Sequence, residues 1–139
     1  MDWKLELVIV PVSDQDRAKD FYVEKLGWTL IVDYRAGKEF RVVQVLPPGS
    51  GCAIALMRSP EAAAPVQGLH LVVNDIDAAR SELVGKGVEV SELYHFVDGT
   101  QVPGADAERR DYNTFCSFTD PDGTGWMVQE VRRLHAPAQ

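Results

Sequence analysis

Two continuous apolar runs, Leu7 to Val12 and Leu69 to Val73, each lead into a stretch whose apolar residues fall at helical spacing. In the first stretch these are Ala18, Phe21, Tyr22 and Leu26, and in the second Ile76, Ala79 and Leu83. The pattern therefore predicts a strand followed by a helix, twice. Ser13 with Asp16 and Asn74 with Asp77 have the spacing of an N-cap and its partner three residues on. Gly27 and Gly87 supply the expected helix stops. Beyond each helix come three strand-like runs. They are Thr29 to Tyr34, Phe40 to Leu46 and Cys52 to Met57 in the first copy, and Val88 to Val97, Thr114 to Thr119 and Gly125 to Val131 in the second.

The two copies share sequence as well as pattern. Val12-Ser13-Asp14-Gln15-Asp16-Arg17-Ala18-Lys19 recurs as Val73-Asn74-Asp75-Ile76-Asp77-Ala78-Ala79-Arg80, shifted by 61 positions. Each copy is a βαβββ module, so the expectation is an α+β fold of two tandem modules, 4–58 and 68–131, in one domain spanning 1–131. Proline and glycine close the last hairpin of each copy, at Pro47 to Gly51 and Asp120 to Gly125. Ser59 to Gln67 reads as the linker, and 132–139 as a frayed tail. A Gly-, Asp- and Pro-rich stretch, Asp98 to Tyr112, is an insertion in the second copy and a candidate lid or pocket wall.

Composition narrows the function classes. The chain has 139 residues, 45% of them hydrophobic and 25% charged, enough for one domain with a core. Fourteen basic against 21 acidic residues give a net charge of -7, which argues against a nucleic-acid or anionic-membrane surface. No apolar run reaches the roughly 18 residues of a membrane span, and the N-terminus lacks the pattern of a targeting segment. Cys52 and Cys116 have neither disulfide-framework nor zinc-knuckle spacing, which points to reduced thiols and a cytoplasmic location. Phosphate-loop, dinucleotide and zinc-protease motifs are absent, and Gly49-Ser50-Gly51 is not a nucleophile elbow.

Val12-Ser13-Asp14, then Ala18 and Phe21-Tyr22, the Leu26-Gly27 stop and Asp120-Pro121-Asp122-Gly123-Thr124-Gly125-Trp126 before the final strand resemble the vicinal oxygen chelate superfamily. That superfamily includes glyoxalase I, extradiol dioxygenases and bleomycin-resistance binding proteins. The resemblance covers Lys4 to Val131 and implies that the two modules form a cupped mixed sheet with a helix packed on each. In metal-using members it implies a divalent ion held by His or Glu at four strand positions. Those positions fall here on Leu7, Gly68, Met127 and either Ala53 or Ala55. None offers a carboxylate, imidazole or thiolate, so no metal or other cofactor is expected there.

Alternation along the strands places other residues on the face of the lost ligands. His70 stands two past Gly68 and Gln129 two past Met127. They are read either as anchors for a bound molecule or as polar groups satisfied by each other or by backbone. His95 is a candidate rim residue or general acid/base beside the simpler reading of a strand-end histidine. Tyr112, Tyr94, Phe96, Trp28 and Trp126 could form apolar walls, with core packing the alternative for the two tryptophans. Arg109 and Arg110 could neutralise an anionic ligand or be solvated charges. Only one of Arg41 and Gln44 can enter the cup. Glu130 and Glu6 fall on the opposite face, and His135 lies in the tail.

The resulting expectation is a bleomycin-resistance-like protein whose cleft binds a small organic molecule through His70, Gln129, Tyr112, His95, Met127, Leu7 and Ala55. The alternative is a divalent-metal-dependent lyase, isomerase or dioxygenase with relocated ligands, and a ligand-free interaction module is the third class. Relatives in the resembled family commonly pair, so a homodimer is expected.

Overall fold

The structure is a computed structural model that describes residues 1–59 and 65–132. Most of the expected linker, the tail from residue 133 and His135 lie outside the described residues. Among the described residues the fold is α+β, with two α-helices, the first continued by a π-helical turn, and two sheets of four and five strands. Two compact units divide the chain, Met1–Val66 with Asp120–Thr124, and Gln67–Thr119 with Gly125–Gln139.

In the first unit the elements are β1 (Leu7–Val12), α1 (Gln15–Lys19), β2 (Thr29–Ala36), β3 (Phe40–Leu46) and β4 (Ala53–Arg58). The sheet order is β1-β4-β3-β2, with β1 parallel to β4 and the other pairs antiparallel. Alternate side chains on one face, Val10, Val12, Val43, Val45, Ile54 and Leu56, are at most 4% exposed. They form the core under the helix. Gln15 fixes α1 to the sheet by donating to the carbonyls of Arg41 and Leu56, each at 2.8 Å.

The cap of α1 lies one residue later than the sequence reading places it. Asp14 accepts from the N–H groups of Asp16 and Arg17, while the Ser13 hydroxyl donates to Asp122 at 2.6 Å. In the second unit Asp75, not Asn74, likewise caps its helix. A carboxylate is the stronger acceptor for charge-facing N–H groups, which favours aspartate where both are available. From Asp20 to Lys25 the chain continues as a π-helix, unforeseen from periodicity, in which the Leu26 N–H reaches back to Phe21. Gly27, at φ 78°, then ends it.

The turn Asp120–Thr124 groups with the first unit because its side chains bind there. The Tyr22 hydroxyl donates to the buried Asp120 carboxylate at 2.7 Å, and Arg17 donates to the Pro121 carbonyl. Asp120 also accepts from the N–H groups of Asp122 and Thr124, which sets the turn.

The second unit contains β5 (Leu69–Val73), α2 (Ile76–Gly85), β6 (Tyr94–Val97), β7 (Thr100–Pro103), β8 (Phe115–Thr119) and β9 (Gly125–Glu130), in the order β5-β9-β8-β6-β7. Here the expected strand Val88 to Val97 is corrected: only Tyr94–Val97 is strand, and β7 is an added strand inside the insertion. Asp98 and Gly99 both have positive φ, 49° and 79°, as a two-residue hairpin turn of the primed type demands. Upstream, the Ser91 hydroxyl accepts from the Ser117 N–H, so a side chain occupies a rung that a strand carbonyl would otherwise take.

In the first unit, Arg41 chelates Asp33 through Nε and Nη2, both at 2.9 Å, and reaches Asp16 at 2.8 Å, while Lys19 also binds Asp33. The Arg41 and Lys19 hydrogen bonds hold the Asp33 carboxyl well below the usual carboxylate range. Because the folded state prefers the ionised form, this contribution is complete above about pH 4 and is lost as pH falls further. Urea unfolding at successive pH values checks it: stability should decline below pH 4 by about 1 kcal/mol more in the parent than in Arg41→Met, and parallel acid limbs would refute the assignment.

Candidate functional site

Strand alternation divides each sheet into a helix-covered face and an open face. In the second unit the covered face carries Trp126, Val128, Glu130, Cys116 and Phe118, all nearly buried. The open face carries Met127, Gln129, Phe115 and Ser117 on the central strands, with His70 beside Met127 and Val72 beside Gln129. Tyr94, paired with Phe115, extends it onto β6.

Aromatic rings give this face its rigid part. Tyr94 stacks on Phe115 with centroids 5.7 Å apart, and Phe96 meets both edge-on at 6.0 and 5.4 Å. The Tyr94 hydroxyl is hydrogen-bonded to the Ser117 hydroxyl, which holds the tyrosine at the floor. Two grooves open around Ser117. One, of about 500 Å³, is lined by Gln67, Glu89, Ser117, Phe118, Trp126 and Met127. The other, of about 470 Å³, is lined by Glu92, Leu93, Tyr94, Gln101, Pro103 and Ser117. Both volumes fall in the range of small-molecule sites. Gly125 leaves room for the Gln67 carboxamide, whose oxygen lies 2.1 Å from where a Cβ would stand.

Of the residues singled out in sequence, Met127 lines a groove, and His70 and Gln129 share its face. His70 Nδ1 lies 2.7 Å from the Gly68 carbonyl. A carbonyl only accepts, so Nδ1 carries a proton here. His95 alternates to the other face from Tyr94, and its Nδ1 is spent on the Gly104 carbonyl at 2.6 Å. Tyr112 is 66% exposed and lines neither groove. Trp28 packs in the core beside Tyr22, whereas Trp126, stacked on Phe118, is both a core residue and part of the wall of the groove of about 500 Å³.

In the first unit Leu7 pairs with Ala53 and Ile9 with Ala55, all four on its open face together with Gln44. Register also resolves the choice between the two alanines. Met127 pairs with His70, the 61-residue counterpart of Ile9 is His70, and Ile9 pairs with Ala55, so Ala55 corresponds to Met127. Arg41 turns to the helix side, where Asp16 and Asp33 hold it. Leu7 and Ala55 in the first unit, and Gly68 and Met127 in the second, provide no hard donor, and neither pair fits a divalent cation.

Sequence spacing did not reveal the ionic centre on the covered side of the second unit. Glu130 is 1% exposed and accepts from the Ile76 N–H at 3.0 Å and from Arg109 Nη1 at 2.9 and 3.1 Å. Arg109 Nη2 reaches Asp77 at 2.5 Å. The carboxylates of Asp75, Asp77 and Glu130 lie within 4.8 Å of one another, but the guanidinium already supplies the positive charge among them. Arg110 is paired with Asp106 and Glu108. Both arginines are thus engaged by the chain's own acids. On the same covered face, burial pushes the Cys116 thiol up to about 11.

Three comparisons describe what the chain is similar to. The family model described as the Glyoxalase/Bleomycin resistance protein/Dioxygenase superfamily matches residues 4–128. An uncharacterised protein of Shewanella frigidimarina (strain NCIMB 400) is 33% identical over 130 residues, 89% of this chain and 90% of its own. TnmS3, an antibiotic binding protein from Streptomyces sp. CB03234, matches with a TM-score of 0.70 at 31% identity, covering 93% of this chain and 96% of its own. A member of the same superfamily from Sphaerobacter thermophilus DSM 20745 gives a TM-score of 0.71 at 27% identity, with 94% and 98% covered.

The Arg109 and Glu130 pair makes a prediction for stability. Arg109→Leu strands a buried carboxylate and should cost about 3 kcal/mol in urea unfolding, whereas Arg109→Leu with Glu130→Leu should recover part of that loss. Equal destabilisation of the two variants would show that the stranded charge is not the cause.

Proposed function

The chain belongs to the Glyoxalase/Bleomycin resistance protein/Dioxygenase superfamily, and from that membership we propose that it is a binding protein for a small aromatic organic molecule, held without a metal. The observation that carries this reading is the open face of the second sheet, where stacked aromatic rings and Met127 adjoin two grooves of ligand size. Apolar and aromatic surface supplies the affinity, since removing it from water is worth about 25 cal/mol per Å². Ser117, Gln67 and Gln129 offer the few polar anchors that fix orientation. The likeness to an antibiotic binding protein supports the same class of ligand.

The metal-free part rests on donor chemistry. Leu7, Ala55, Gly68 and Met127 stand where the resemblance implies ligands, and a divalent ion gains nothing from alkyl groups or a lone thioether. A cytoplasmic location is proposed alongside, supported by two free cysteines. Among the described residues, no helix is long and apolar enough to cross a membrane.

Fluorescence titration with the neutral probe N-phenyl-1-naphthylamine tests the binding reading. Saturable one-to-one uptake is expected, unchanged by EDTA and weakened at least about tenfold in Met127→Lys, which puts a charge in the apolar lining. Uptake that requires prior loading with nickel, cobalt, zinc, manganese or iron would favour the metal-dependent lyase, isomerase or dioxygenase instead. Full affinity in Met127→Lys would remove this face from consideration.

We also propose a homodimer. Its support is the apolar surface of the first unit, where Trp3, Leu5 and Ile9 are 89%, 68% and 59% exposed. They recur at every second residue along the N-terminal segment and β1 or skip one such position, the spacing of one strand face. Light scattering should give twice the chain mass, and Trp3→Ser with Ile9→Ser should shift it toward the monomer. A parent protein of single-chain mass would refute the pairing.

A further inference from the structure

We infer that the molecule held on the open face of the second unit carries a positive charge, as an aromatic amine does. This rests on the binding reading above and adds the ligand's charge to it. Both grooves around Ser117 are lined by a glutamate, Glu89 in one and Glu92 in the other, and by no lysine or arginine. Glu92 has a 3.4 Å contact with Arg80, whereas Glu89 has no ionic partner among the described residues. The contrast with the rest of the unit is sharp: Arg109, Arg110, Arg80 and Lys86 each have an acidic partner. Arg80 is spent on Glu92 of the second groove, the other three pair away from both grooves, and the first groove keeps an unneutralised carboxylate, Glu89.

An ammonium has only donors to give, and the Ser117 hydroxyl can accept one of them. Tyr94, held by Ser117 and lining the second groove, presents an aromatic ring of the kind that attracts cations. Over 67–119 and 125–132 there are ten acidic and five basic residues, a net charge of -5 that raises the local concentration of a cation and lowers that of an anion. A carboxylate or phosphate ligand meets the opposite conditions: no free cation and an unpaired negative charge in the lining.

The test uses three probes with one ring system: 1-naphthylmethylamine, 1-naphthalenemethanol and 1-naphthoate, titrated calorimetrically at low and at physiological ionic strength. The amine should bind about threefold or more tighter than the alcohol, and the carboxylate weakest, with the spread narrowing as salt rises. In Glu89→Gln with Glu92→Gln, the amine's advantage over the alcohol should disappear. Both glutamates are exposed, so the melting temperature of this variant should match the parent's. Equal binding of the three probes, or an amine preference that survives the double substitution, overturns the charge inference and leaves the binding reading standing. Failure of the amine and the alcohol alike to bind overturns both.

Discussion

Each sheet has a single helix to cover it, and a sheet has two faces. This constraint governs the rest of the molecule. Side chains that alternate toward the helix can be wholly apolar and close-packed, as Val43, Leu56, Val128 and Trp126 are. Their neighbours in sequence necessarily point the other way. The open faces are therefore a consequence of the βαβββ pattern itself, and the proposed binding surface consists of the few residues at alternate positions of β9, β8 and β6. The same alternation explains why Glu130, adjacent to Gln129, takes no part in that face and instead anchors the start of α2 through Ile76.

Much of the architecture was legible because it depends on local rules. The bounds of β1, β3 and β5 agree with the apolar runs, and Gly27 and Gly87 stand at positive φ where the helices stop. The β6–β7 hairpin was also written in the sequence, as Asp98-Gly99, but the surrounding glycine and proline masked it as loop. Other features had no local signal. Arg109 finds Glu130 and Asp77 at 21 and 32 residues' separation, so nothing near it in sequence marks it as a structural cation. In sequence His95 reads equally as a rim residue or as a strand-end histidine; only the pairing of Tyr94 with Phe115 fixes the phase of β6 and turns His95 to the other face. Gln44 and Arg41 needed strand register in the same way, and neither composition nor spacing contains it.

The superfamily's scaffold supports several chemistries, so function has to be argued from side chains. Here the residues at the expected ligand positions are aliphatic, glycine or thioether, and the cluster of Asp75, Asp77 and Glu130 encloses a guanidinium. What lines the grooves of the second unit is aromatic and thioether surface, amides, a hydroxyl and two glutamates, the surface on which the proposed metal-free binding rests.

The unequal burial of the two thiols has a practical side. Cys116 is fully enclosed on the covered face, while Cys52 is partly accessible just before β4. Alkylating reagents attack the accessible thiolate far faster. The native chain thus comes with one addressable attachment point, so that a maleimide dye or spin label can be placed at Cys52 without first removing a cysteine.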